Sequence, residues 1–109
     1  MGKLQKIEKL ILKGKEPELI KLSGDKDKAV RLAAIQGLGK VGKDDSFNAL
    51  IAGMQDEDSD IRAMCVESLG LLKNSCADTH LRYLLQHEKN GDVIFAAKKA
   101  LAQLHKESQ

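Results

Sequence analysis

Few of the 109 residues carry side chains suited to catalysis, and they converge on no pattern. A structural zinc ion takes four Cys or His ligands at short paired spacings. Cys65 and Cys76 form no such pair, and His80, His87 and His105 lie far apart, mostly in polar surroundings. Cys76 falls in a turn before a helix, where free N–H groups can lower a thiol pKa. No His or basic neighbour completes an activated nucleophile there. Gly37-Leu38-Gly39 is glycine-rich but lies inside a helical pattern with no strand before it, so it is no phosphate loop. The expectation is a chain without catalytic residues, metal ligands or cofactor.

The elements that hold these residues follow from composition and period. The chain has a single Pro, no Trp and only Phe47, Tyr83 and Phe95 as aromatics, while Leu, Ala and Lys abound. Strands need β-branched and aromatic side chains to fill a pleated face, so an all-α fold is expected. This length makes one domain, which buries about two-thirds of its unfolded surface.

Internal repetition is plain. Aligning Val30, Ile61 and Val93 superimposes VRLAAIQGLGKVG (30–42), IRAMCVESLGLLK (61–73) and VIFAAKKALAQLH (93–105), at spacings of 31 and 32 residues. Upstream, LIKLSGDKDKAVR (19–31) matches LIAGMQDEDSDIR (50–62), which places Asp25 over Asp56 and Arg31 over Arg62. The third copy reads as degraded, with Ile94 in place of the Arg and no carboxylate at the Asp position.

Each unit reads as two helices. In the second unit Asp44, Asp45 or Ser46 can cap a first helix whose apolar stripe is Phe47, Leu50, Ile51 and Met54. Asp56-Glu57-Asp58-Ser59-Asp60 then opens a second helix, where carboxylates complement the positive end of the dipole. Second helices carry small residues at equivalent places: Ala33, Ala34 and Gly37; Met64, Cys65 and Ser68; Ala96, Ala97 and Ala100. Cys65 therefore reads as core. Gly39 and Gly70, one turn before the helix ends, read as close-packing sites, and Gly42 and Asn74 suit left-handed C-caps. The units expected are 17–42, 43–73 and 74–107 after an N-terminal helix within 1–16, all in one domain, 1–109. They would stack as a right-handed α-solenoid of about three antiparallel helix pairs.

These residues resemble the HEAT-like repeats, in particular the short kind associated with phycobilisome lyases. That motif has an Asp in the loop, then Val-Arg, two small residues and a Leu-Gly-x-Ile/Val ending. Here it reads Asp25, Val30-Arg31, Ala33-Ala34, Leu38-Gly39 and Val41, then Asp56, Ile61-Arg62, Leu69-Gly70 and Leu72. The resemblance implies an Asp–Arg ladder within or between units and second helices lining a concave face. Chemistry agrees, since a carboxylate six residues before a guanidinium can cap N–H groups and accept a forked ion pair. Another branch, the deoxyhypusine hydroxylases, binds two irons through His-Glu pairs in the second helix just after the Val-Arg position. His87-Glu88 lies in the preceding turn, and one misplaced pair cannot supply that ligand set.

What remains is surface. Positions spaced by four that the repeat leaves open are Leu32, Gln36 and Lys40; Ala63, Glu67 and Leu71; Phe95, Lys99 and Gln103. Three such stripes on a concave face would form a protein-binding patch with apolar points at Leu32, Leu71 and Phe95. Equally, Leu71 and Phe95 could pack against adjacent helices. Residues 1–43 carry +6 and residues 44–109 carry −4, which reads as a dipole along the sequence and disfavours a nucleic-acid groove, as does the lack of Trp. No uninterrupted apolar run offers a membrane span, and the cysteine usage fits a reducing cytoplasm. The function expected is a non-catalytic adaptor that binds another protein, with self-association open. The alternative is an accessory subunit of a lyase-type or nucleic-acid-associated activity.

Overall fold

In the computed structural model, which describes residues 2–107, seven helices follow one another: α1 (Lys3–Leu12), α2 (Glu16–Leu22), α3 (Lys28–Val41), α4 (Asp44–Gly53), α5 (Ser59–Leu72), α6 (Ala77–His87) and α7 (Gly91–Glu107). Met1, Ser108 and Gln109, part of the expected domain 1–109, lie outside the described residues. Among the described residues there is no strand, and no helix is long and apolar enough to cross a membrane.

The helices pair as α2/α3, α4/α5 and α6/α7, and the pairs stack unevenly. The second helices pack closely in a row, with α3 on α5 and α5 on α7 as the most extensive contacts. α1, expected as a lone helix, stands before α3 in that row. The first helices form a looser row: α2 touches α4 lightly, and α4 and α6 stand apart. The stack is thus tight on the side of α1, α3, α5 and α7 and open on the other. Leu19, Leu38, Leu50, Leu69, Leu81 and Val93 are fully enclosed between the rows and form one continuous core with Ile7.

Small residues set the spacing of the tight row. A Cβ on Gly39 would lie 2.9 Å from the Ser68 Cα, and one on Gly70 would lie 3.1 Å from the Ala100 Cα. Ser68, enclosed at the same seam, donates its Oγ to the Ile35 carbonyl of α3 at 2.9 Å, so the one polar group there is satisfied. The expected left-handed caps are placed differently. Gly42 is extended, with φ −74°, and the left-handed residue after α5 is Lys73, with φ 58°, rather than Asn74. Glycine is needed at 42 for room, because a side chain would strike the Leu38 carbonyl and Ser46.

The turns between first and second helices repeat one hydrogen-bonding device. Asp27, Asp58 and Asn90 are equivalent caps that accept from the N–H two residues on, at Ala29 (2.9 Å), Asp60 (2.8 Å) and Asp92 (2.9 Å). Two residues earlier, Asp25, Asp56 and Glu88 accept in the same way from Asp27, Asp58 and Asn90. Glu88 is therefore the loop carboxylate of the third unit, which the sequence reading left without one; a longer side chain fills the place.

That substitution also redirects the expected Asp–Arg ladder. The Asp56 carboxylate does not receive the Arg62 fork. Arg62 Nη1 donates instead to the backbone carbonyls of Asp56 (2.9 Å) and Glu57 (3.1 Å), while Nε and Nη2 fork onto Glu88 of the next unit at 2.8 and 2.9 Å. Arg31, the equivalent of Arg62, has its buried Nε without a partner, and the residue at the place of Glu88 in the following unit is the shorter Asp56. Lysines bridge the other units: Lys3 to Asp25 at 2.7 Å, and Lys28 to both Asp58 and Asp60 at 2.8 Å. On the opposite edge the expected caps Asp44, Asp45 and Ser46 yield to Glu16 of the preceding unit. Its carboxylate accepts from the Lys43 N–H (2.7 Å), the Ser46 N–H (3.1 Å) and the Ser46 hydroxyl. These bonds, the Ser46 hydroxyl foremost, hold the Glu16 carboxyl below its ordinary range.

Several carboxylates gather where the second helices begin. Asp25, Asp27, the run Asp56 to Asp60, Glu88 and Asp92 all fall on the edge where second helices begin. Lys13, Lys15, Lys40, Lys43 and Lys73 fall on the edge where they end, and Lys98, Lys99 and Lys106 make the last helix basic.

Candidate functional site

Of the stripe residues, Gln36, Lys40, Glu67, Leu71, Phe95 and Lys99 are exposed, and Leu32, Ala63 and Gln103 are half-buried. On α5 only Asp60, Glu67 and Leu71 are exposed, and on α3 only Lys28, Ala29, Gln36 and Lys40 are. Leu71 is 47% exposed and Phe95 71%, so neither ring nor isobutyl group is consumed by the core. Glu67, Leu71, Lys99 and Gln103 come together with Ala96 around a hollow of about 180 Å³ between α5 and α7. Leu32, Gln36 and Lys40 lie outside that hollow, on the neighbouring helix. Gln103 is half-buried, its Oε1 lying against Gly70. Glu67 and Lys99 take part in no ion pair among the described residues, so the hollow is flanked by one available charge of each sign.

A larger feature lies on the other side, where α4 and α6 stand apart. A cleft of about 660 Å³ opens between them, with Ile51, Met54 and Leu84 as its apolar lining and His80, Tyr83 and His87 along one wall. These three fall on one face of α6. Tyr83 is 65% exposed, and its ring lies 4.5 Å from that of His87, centroid to centroid, at 52°. At the start of the helix Phe47 meets His80 edge-on at 6.3 Å, a bridge from α4. The sequence reading treated the histidines only as possible metal ligands and overlooked the wall. Its signal was present as spacing: an imidazole, the sole Tyr and a second imidazole at i, i+3 and i+7.

The cysteines and His105 lie outside both features. Cys65 is enclosed at the tight row, and burial pushes its thiol up to about 12, far from a thiolate at neutral pH. Cys76 is exposed at the start of α6. His105 Nε2 lies 2.7 Å from Asp78 and 3.1 Å from Arg82, a surface cluster that ties α7 to α6. The Arg82 hydrogen bond, then that of His105, lowers the Asp78 pKa. Among the described residues no group of three or more His, Cys, Asp or Glu could hold a metal ion.

Paired helices stacked in register with a continuous core define an α-solenoid, a class in which neighbouring units bury one another's apolar faces. Residues 16–102 match HEAT repeats, and the protein belongs to that family. No curated protein matches the chain.

Proposed function

We propose that the protein is a non-catalytic adaptor that holds another protein against the exposed stripes of α3, α5 and α7. HEAT repeats commonly mediate protein–protein interaction, and the observation that carries the reading is Phe95. It replaces Leu32 and Ala63 at its place in the repeat, spends its area on solvent, and adjoins Ala96 in the lining of the charged hollow. A large exposed ring with few rotatable bonds, set among polar residues, is the makeup of an interface anchor. Lys40, Glu67, Lys99, Gln36 and Gln103 would then form the polar rim, with Leu32 a lesser apolar point.

The test compares capture from the native host by the intact protein and by Phe95→Ala. A protein bound by the first and lost by the second, with melting temperatures within a few degrees, supports the reading. A partner retained equally by both overturns it. Gel shifts with nucleic acid that vanish when Lys6, Lys9 and Lys13 are changed to Glu would favour a phosphate-binding role instead.

A further inference from the structure

The cleft between α4 and α6 has the size, lining and charge of a small-ligand site, and it lies away from the stripes assigned to a protein partner. At about 660 Å³ it falls within the roughly 300–1,000 Å³ typical of such sites. It exists because α4 and α6 meet only loosely, through Phe47 and His80, while α5 and α7 pack closely behind them.

The lining selects the ligand. Ile51, Met54 and Leu84 offer an apolar surface with a thioether, which packs well against a ring. Tyr83 and His87 stand beside it as a pair of planar groups, and the core makes no use of the exposed phenol ring. Among the charged side chains of the lining itself one positive charge is left over, at an edge that also holds Asp56, Glu57 and Asp92. Glu88 is committed to Arg62, and Arg62 in turn to Glu88 and two backbone carbonyls, so the two cancel. Lys89, exposed at the same end, makes no ion pair among the described residues, and it leaves the cleft with one available cation. We infer that this cleft binds a planar aromatic carboxylate, its ring between the Met54 side and the Tyr83–His87 wall and its carboxylate toward Lys89.

Titration of the intact protein with indole-3-acetate, followed by ¹³C and ¹⁵N NMR, tests this. Saturable shifts at His80, Tyr83 and His87 are expected, with no response at Phe95. Tyr83→Ala and Lys89→Gln, both exposed and so compatible with folding, are each expected to weaken binding fivefold or more. Tyr83→Phe, which keeps the ring, is expected to weaken it less than twofold. Tryptamine, the same ring with a cation, and cyclohexylacetate, the same charge without the ring, are expected to bind at least tenfold more weakly. The inference is overturned if no saturable shifts occur, if they appear around Phe95, if tryptamine binds as well, or if Tyr83→Ala and Lys89→Gln leave the affinity unchanged. Phe95→Ala is expected to leave the titration as it was, which separates this site from the adaptor surface.

Discussion

Glu88→Ala probes the strongest connection between units. In the folded protein the Glu88 side chain is 8% exposed and that of Arg62 19%, and their fork joins the second unit to the third. Deleting one member of a fully buried pair costs about 3–5 kcal/mol, because the remaining charge keeps its desolvation without its partner. Arg62 would keep the two loop carbonyls and some water, which brings the expected loss to about 2–3 kcal/mol. With an unfolding entropy of about 2.1 cal/mol/K per residue, a chain of this length loses about 4 °C per kcal/mol, so the melting temperature should fall by about 9–13 °C. The acid dependence has a definite sign. Arg62 foremost holds the Glu88 carboxyl below its ordinary value, so the pair stabilises the fold fully above the unfolded carboxyl pKa of about 4.3. The benefit disappears as pH falls through the lower folded value. Circular dichroism melts of both proteins at pH 7 and in steps toward acid should show a gap that is widest at neutrality and narrows below about pH 4. A difference under about 3 °C at pH 7, or one that persists unchanged in acid, would refute the account.

Asp56→Glu should supply the missing methylene and let the carboxylate reach the buried Arg31 Nε while still accepting the Asp58 N–H, as Glu88 does for Asn90. A gain of about 0.5–1 kcal/mol in urea denaturation, at unchanged slope, is expected, and a loss would show that the turn cannot carry the longer acid. Gly39→Ala should destabilise by about 2 kcal/mol although alanine favours the helix by about 1, because its methyl meets the backbone of Ser68 at 2.9 Å. Equilibrium unfolding that shows a gain would contradict the tight seam. An aromatic disulfide reagent at pH 8 should titrate Cys76 promptly and Cys65 only on unfolding, and rapid release of two equivalents from the native protein would disprove the burial of Cys65.

The repeat itself was legible because stacking imposes the same demands on each unit: an enclosed Leu, a small residue at the seam and an acid at the turn recur at fixed intervals. Which carboxylate an arginine chooses was not legible. That choice depends on one methylene in the next unit: Glu88 stands five residues before Val93, as Asp25 and Asp56 stand before Val30 and Ile61, but a comparison by identity does not match Glu with Asp. The cap of α4 was missed for a related reason, since Glu16 arrives from a preceding helix and leaves no local signature. The exposed stripes could be read from positions the repeat leaves free. The cleft could not, because it arises from a contact that α4 and α6 fail to make, and sequence periodicity records contacts rather than gaps.

That gap gives the molecule an uneven compliance. The row of α3, α5 and α7 is fitted at backbone distance and can neither compress nor slide without collision, so flexing of the stack must be absorbed where α4 and α6 leave slack. The second and third units would then swing about the α5–α7 seam as about a door on its jamb. Spin labels at Ala52 and Tyr83 should report a broad distance distribution, and a pair at Gln36 and Glu67 a narrow one. Whatever fills the slack therefore sets how far the second and third units can swing, and so stiffens the stack at the place where it gives.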